Sequence, residues 1–248
     1  MPKSHIIIEL IDDLVPLNKS LTRLLVLAKD VDNKALYSWA SKELKGYDKD
    51  IDSLPDYRIC QSVDFMYSGF NKNVQVTKVP LPKSWFPEEI LSKISTAYLY
   101  EGIKTIEELK NSERPSVINY TELAGYISEQ SDGLISCTSI YGNVPKSALE
   151  KIIDSVKERA LLALIEMEKK YGVLDELFID ISNEKKSEID YNNKELNRMV
   201  LNINVPNQMG KDSVPSKIAW NIIVPILTAV GSSIITYIVT QFLFKGNQ

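Results

Sequence analysis

The sequence is poor in the residues from which metal sites and nucleophilic triads are commonly built. Its 248 residues include a single histidine, His5, and two cysteines, Cys60 and Cys137. One histidine cannot supply a usual zinc site, and the cysteines lie too far apart for a CxxC pair. We therefore expect no metal, no other cofactor, and two buried, reduced thiols.

Motifs that mark nucleotide-binding and hydrolytic enzymes are also missing. The sequence contains no GxxxxGK[ST], GxGxxG, HExxH or GxSxG pattern. Four adjacent acidic pairs fall in segments predicted as exposed helix: Asp12-Asp13, Glu88-Glu89, Glu107-Glu108 and Asp175-Glu176. Solvated carboxylates are common in such segments, so we expect no catalytic residues. A metal-dependent nuclease built from these pairs stays an alternative.

Positive charge is in short supply too. Lys and Arg number 29 against 33 Asp and Glu, which gives a formal net charge of −4. Binding along a nucleic-acid backbone needs concentrated Lys and Arg, so we expect no direct nucleic-acid partner. Hydrophobic residues make up 44% of the chain and charged residues 25%, as in a globular body.

What the sequence does contain is a long stretch without charge near its C-terminus. The 27 residues Ile218–Phe244 include no Asp, Glu, Lys, Arg or His. At about 1.5 Å per residue such a helix is about 40 Å long, and a hydrocarbon core is about 30 Å thick. The pattern predicts one transmembrane helix over 217–245. We expect Lys211, Lys217 and Lys245 to contact lipid head groups.

The predicted span has a polar face. At about 100° per residue, small and hydroxylated residues share one side of it: Asn221, Thr228, Ser232, Thr236 and Thr240. Such side chains can form hydrogen bonds between helices in lipid, which favours self-association. They can also bond to carbonyls of their own helix, which leaves a passive anchor open.

Before the predicted span, the pattern of hydrophobic and turn residues predicts an α+β fold. It indicates a mainly helical cytoplasmic domain with a small antiparallel sheet, over residues 1–181. Helices are predicted over 4–15, 20–30, 32–44, 88–100, 103–111, 115–130 and 145–171. Strands are predicted over 59–67, 73–79 and 134–141, the first two joined by a turn at Ser68–Asn71. Residues 182–216 are interpreted as a tether with one candidate strand, Arg198–Val205. The N-terminus carries no secretory signal, so we expect the body to face the cytoplasm.

Two short motifs in the body resemble those of a known protein family. Glu43-Leu44-Lys45-Gly46-Tyr47 is followed by Leu54-Pro55-Asp56-Tyr57-Arg58, and Val144 to Glu150 reads VPKSALE before the longest helix. In order and spacing these stretches resemble the AbiTii family of abortive-infection phage-defence proteins, over roughly residues 5–172. The resemblance implies a role in killing or stalling an infected cell, and supplies no catalytic mechanism.

The residues of the first motif allow two interpretations. Glu43, Gly46, Tyr47, Pro55, Tyr57 and Arg58 are either structural or contacts for a partner. In the structural interpretation Gly46 ends a helix, Pro55 fixes the entry to a strand, and Arg58 pairs with Glu43 or Asp56.

Together these patterns predict a single-pass effector at the cell membrane that self-associates after activation by a defence partner, and then permeabilises or depolarises the membrane. This arrangement of a cytoplasmic body and a C-terminal membrane helix is similar to that of membrane effectors paired with short prokaryotic Argonautes. A short Argonaute with its adaptor is therefore one candidate partner. The alternatives are a membrane-tethered sensor or adaptor that recruits another defence protein, and a nuclease-type toxin.

Overall fold

The computed structural model describes residues 3–182 and 184–201. The predicted transmembrane helix lies outside these residues, as do its polar face and the three flanking lysines. Within the described part of the chain, no helix has the length and apolar content needed to cross a bilayer.

Along the described residues three helices are followed by three strands, then by helices and strands in turn, and last by two helices. The helices are α1 His5–Ile11, α2 Leu17–Asp30, α3 Lys34–Lys45, α4 Glu88–Ile94, α5 Ile103–Asn111, α6 Ala124–Gln130, α7 Lys146–Tyr171 and α8 Lys186–Leu201. The strands are β1 Ile59–Cys60, β2 Asp64–Asn71, β3 Val74–Pro80, β4 Ala97–Tyr98, β5 Ser116–Asn119 and β6 Ile135–Val144. The described residues therefore confirm a mixed helical and antiparallel architecture.

The chain divides into two units. The first holds the described residues of Met1–Val63, Ser92–Ser116 and Val144–Val205, and it is mainly helical. The second holds Asp64–Leu91 and Val117–Asn143, and it contains most of the sheet.

Helix α7 is the centre of the helical unit. Over its 26 residues one stripe is buried at helical spacing: Leu149, Ile152, Val156, Ala160, Ala163, Leu164 and Met167. Helices α1, α2, α5 and α8 all contact it. The sequence predicted this helix over 145–171, and the helix is confirmed.

In the sheet unit the strands run in the order β3-β2-β6-β5, and β2 is antiparallel to both of its neighbours. The ring of Phe65 on β2 lies 5.1 Å from that of Phe86 and 5.9 Å from that of Tyr120. Alternate β2 residues Phe65 and Tyr67 are buried, as is Ile140 on β6. One face of the sheet is thus covered and supplies the core of this unit.

The hairpin is confirmed, but its predicted turn is wrong. Ser68–Asn71 belongs to β2, and the turn is the Lys72-Asn73 pair between Asn71 and Val74. Lys72 adopts a left-handed conformation with φ 54°, which the sequence did not suggest because glycine is the usual residue there. Gly69 instead lies at a register shift within β2.

Two predicted helices are shorter than expected. The helix predicted over 115–130 is replaced by β5, a 3₁₀ turn at Thr121–Leu123 and α6. The helix predicted over 88–100 ends at Ile94, and Ala97–Tyr98 pairs with Ile59–Cys60 instead. In both cases pairing with a strand distant in sequence outweighs local helical preference.

Part of the segment interpreted as a tether is helical. Helix α8 contacts α7 and α3, and it buries Leu196 and Val200. The strand predicted over Arg198–Val205 is wrong for residues 198–201, because Leu196 and Val200 are spaced for one face of a helix. Residues 202–216 lie outside the described part of the chain.

The cysteines are both free. Cys60 is buried, as expected, whereas Cys137 is half-buried, and burial raises the pKa of its thiol.

The N-terminal segment is attached to α7 through Glu168. The Ser4 backbone N–H and hydroxyl both donate to Glu168 Oε1 at 2.6 Å, and Lys3 Nζ lies 2.5 Å from Oε2. Ser4 therefore bonds to another helix rather than capping α1 with its side chain. Burial alone would raise the pKa of Glu168, but the bonds from Lys3 and Ser4 outweigh it and lower the pKa to about 2.

This attachment predicts a pH dependence of stability. The folded pKa of Glu168 lies below its ordinary value of 4.5, so the stabilisation is present above pH 4.5 and is lost as the pH falls toward 2. We expect Glu168→Gln to be less stable than the wild type at pH 7, with a smaller loss on acidification, in urea unfolding at pH 7 and pH 3. Glu158→Gln, at an exposed position of the same helix, is the control. Equal pH dependence in the two variants would contradict this role.

Candidate functional site

A buried charged and aromatic cluster joins the residues of the first motif. Glu43 Oε2 lies 2.5 Å from Arg58 Nη2, and both side chains are 0% exposed. The hydroxyls of Tyr47 and Tyr57 each donate to Glu43 Oε1 at 2.5 Å. Trp39 Nε1 donates to the Tyr57 hydroxyl at 3.0 Å. We call these five residues the Glu43 cluster.

Local structure explains how these side chains meet. Trp39 and Glu43 lie one turn apart on the buried face of α3. Pro55 precedes the 3₁₀ turn Asp56–Arg58, and its carbonyl accepts the Arg58 N–H at 2.9 Å. Of the two partners that the sequence left open, Glu43 and Asp56, Arg58 pairs with Glu43.

Arg58 also connects the cluster to the chain before α5. Its Nη1 donates to the carbonyls of Leu99 at 2.9 Å and Glu101 at 2.7 Å. Its guanidinium lies 4.9 Å from the centre of the Tyr47 ring, within the range of a cation–π contact. One buried guanidinium therefore joins α3, the 3₁₀ turn and residues 99–101.

Gly46 allows the backbone to pass close to residues 100–102. Its φ is 97°, and a Cβ there would lie 2.7 Å from the Tyr100 carbonyl oxygen. A Cβ on Gly102 would lie 2.5 Å from the Leu44 carbonyl oxygen. A side chain at either position would separate these segments, so Gly46 is needed for both its conformation and this approach.

The electrostatics of the cluster favour a fixed arrangement over proton transfer. Burial, and after it the charge of Glu43, raises the pKa of Tyr47 and of Tyr57. Both hydroxyls therefore stay protonated near neutral pH and keep donating to Glu43. Glu43 and Arg58 are fully buried, which agrees with the structural interpretation of the motif.

A cleft of about 610 Å³ lies in the same helical unit, and both motifs line it. Asp56 and Tyr57 come from the first motif, and Pro145, Ser147 and Ala148 come from the second. Apolar and polar side chains complete the lining: Ile59, Cys60, Gln61, Ser62, Leu99, Lys151 and Ile152. The cleft offers both an apolar surface and opposite charges, which suits binding of a ligand or of a segment of another protein.

The structure also brings two of the acidic pairs near each other. Burial, followed by the charges of Asp13 and Glu108, raises the pKa of Glu107. Asp13 is in turn paired with Lys157 at 2.6 Å. Across residues 3–182 and 184–201, no group of three or more His, Cys, Asp and Glu side chains is arranged to hold a metal ion.

Several predicted site residues cannot be placed. The membrane-helix polar face and the lysines lie outside the described residues: Asn221, Thr228, Ser232, Thr236, Thr240, Lys211, Lys217 and Lys245. The first-motif residues Glu43, Gly46, Tyr47, Pro55, Tyr57 and Arg58, by contrast, are brought into one region.

Sequence reasoning missed two residues of this region, Trp39 and Arg159. Trp39 was predicted on α3, but nothing in the sequence assigned its indole N–H a partner. The Arg159 guanidinium lies 5.1 Å from the centre of the Tyr57 ring. Its position beside the buried stripe, between Val156 and Ala160, was the available signal.

Removing one partner of the buried pair should be costly. We expect Arg58→Met to lower the free energy of unfolding by about 3–5 kcal/mol, because Glu43 is left buried without its cation. The matched control is Lys104→Met, which breaks a 3.9 Å pair with Glu108 whose side chains are 70% and 65% exposed. It should cost less than about 1 kcal/mol. Urea unfolding measures the free energy of unfolding of both variants. Equal decreases would show that the buried pair stabilises the fold no more than the exposed pair does.

Comparison with known proteins agrees with this arrangement. The AbiTii family model matches residues 4–193. The match includes both motifs, the Glu43 cluster and every residue that lines the cleft. No curated protein and no solved structure matches the chain. Because the family match covers well over half of the sequence, the chain belongs to the AbiTii family, whose role is in abortive-infection defence.

Proposed function

We propose that this AbiTii protein is a membrane-anchored effector that depolarises or permeabilises the cell membrane when several copies are brought together. The observation that carries the proposal is the charge-free stretch Ile218–Phe244, 27 residues long, in the same chain as a folded family domain. Family membership supports the defence role. The membrane mechanism is our proposal, and it requires no catalytic residue and no cofactor.

The membrane step depends on association of the predicted spans. One helix cannot enclose a path for ions, whereas several helices can surround one lined by hydroxyl groups. Contacts between hydroxylated helix faces contribute about 0.6–2 kcal/mol each in lipid. Several contacts per helix are therefore needed, and the predicted face supplies them through Thr228, Ser232, Thr236 and Thr240. Lys211, Lys217 and Lys245 would hold the ends of the span at the head groups.

The folded body would receive the activating signal on the cytoplasmic side. The cleft lined by both motifs is the candidate receiving site, because it combines a half-buried aromatic ring with accessible charges. A partner that holds several copies raises their local concentration, which promotes association of the spans. The plan of the chain makes a short Argonaute with its adaptor one candidate for this partner.

A second function is favoured by the size and mixed lining of the cleft. A membrane-tethered sensor or adaptor would use the same cleft to recruit another defence protein, and its span would serve only as an anchor. An intact membrane potential in cells that the protein kills would favour this second function, or a toxin of the nuclease type, over depolarisation.

The test replaces the hydroxylated face of the span. We expect the triple variant Ser232→Val, Thr236→Val and Thr240→Leu to reach the membrane but to lose most of its depolarising activity, because the hydroxyl contacts are removed while the segment stays apolar. A voltage-sensitive dye in intact cells measures the loss, and fractionation measures insertion.

The matched control replaces the opposite face of the same helix. Ile226→Val, Val230→Leu and Ile234→Val together should leave depolarisation close to wild type, since no hydroxyl group is removed. If the two triple variants behave alike, the hydroxylated face is incidental and the span is an anchor only.

A further inference from the structure

Arg159 connects the last turn of α8 with the Glu43 cluster. One of its guanidinium nitrogens, Nη1, donates to the Val200 carbonyl. The same guanidinium lies over the Tyr57 ring, 5.1 Å from its centre. A single half-buried side chain of α7 thus contacts both α8 and Tyr57, a residue that lines the cleft.

The contact with α8 lies in the last described turn of that helix, Arg198–Leu201. A hydrogen bond from a charged donor is stronger than one between neutral groups. Arg159 supplies both a hydrogen bond and a positive charge at Val200. Loss of Arg159 should therefore loosen the last turn of α8 before the rest of the helix.

Tyr57 gives this contact a connection to the cleft. Its hydroxyl donates to Glu43, the Arg159 guanidinium lies over its ring, and Tyr57 is one of the residues that line the cleft. The Arg159 guanidinium makes a cation–π contact with the face of the Tyr57 ring. A ligand in the cleft that displaces the ring would therefore weaken this contact.

We propose that Tyr57 and Arg159 form a latch that holds the last turn of α8 on the body and releases it when the Tyr57 ring is displaced. The consequence for the membrane rests on the proposed function, because α8 precedes residues 202–216 and the predicted span in the sequence. The latch itself is a property of the described residues and can be tested independently of any membrane activity.

The first test is hydrogen exchange of the full chain in lipid nanodiscs. Arg159→Ala should speed exchange in the last turn, Arg198–Leu201, about tenfold, and leave Lys186–Asn192 close to wild type. Lys170→Ala is the matched control, because Lys170 Nζ donates to the Asn192 carbonyl at 3.1 Å. It should speed exchange around residue 192 and leave the last turn unchanged. Unchanged exchange at 198–201 in Arg159→Ala would overturn the proposal.

The second test asks whether Tyr57 acts through Arg159. Tyr57→Leu should speed exchange of the last turn, and Tyr57→Leu combined with Arg159→Ala should add nothing beyond Arg159→Ala alone. Tyr57→Phe keeps the ring beneath the guanidinium and should leave the last turn near wild type. Additive effects of the two substitutions at 198–201 would overturn the coupling.

Exchange within Leu21–Ala28 of α2 reports whether each variant still folds. If Arg159→Ala loses the fold, Arg159→Lys takes its place, because it keeps the charge but lacks the planar fork. It should give a smaller but still local increase at 198–201, and an increase spread equally over α8 would overturn the latch. A confirmed latch in a chain that leaves membranes intact would refute the membrane mechanism alone.

Discussion

The fold of the helical unit depends on neutralising one buried carboxylate. Glu43 has no exposed surface, and a buried charge without a partner costs several kcal/mol. Arg58 supplies the cation, and two tyrosine hydroxyls bond to the second carboxylate oxygen. Because Arg58 also binds the carbonyls of residues 99 and 101, satisfying Glu43 fixes three separate segments at once.

The need to neutralise buried Glu43 explains which residues make up the first motif. Gly46 allows close approach to the Tyr100 carbonyl, and Pro55 begins the turn that delivers Arg58. Each residue type is ordinary by itself, so the family signal lies in their order and spacing. The sequence limited the partner of Arg58 to Glu43 or Asp56, and the structure pairs it with Glu43. Convergence of both motifs on one cleft could not be predicted, since it depends on how α7 packs.

Sequence patterns predicted the fold best where a helix has one clearly apolar face or ends at a glycine. The stripe of α7 and the end of α3 at Gly46 are examples of this. Sequence patterns failed where pairing between strands distant in sequence, or a rare backbone conformation, decides the structure, as at β5 and Lys72. Helix α8 was missed because Leu196 and Val200 are its two buried positions in a segment rich in Asn, Lys and Glu. Arg159 was missed in turn, because its contact with Val200 depends on where α8 lies.

The central claim is that several chains act together on a membrane, and reconstitution tests it most directly. Purified full-length protein would be inserted into liposomes that hold a potassium diffusion potential, at increasing numbers of chains per vesicle. The account predicts that the rate of depolarisation rises more steeply than in proportion to that number, and that a chain ending at residue 216 has no effect. A rate proportional to the number of inserted chains, or no depolarisation despite confirmed insertion, would contradict it.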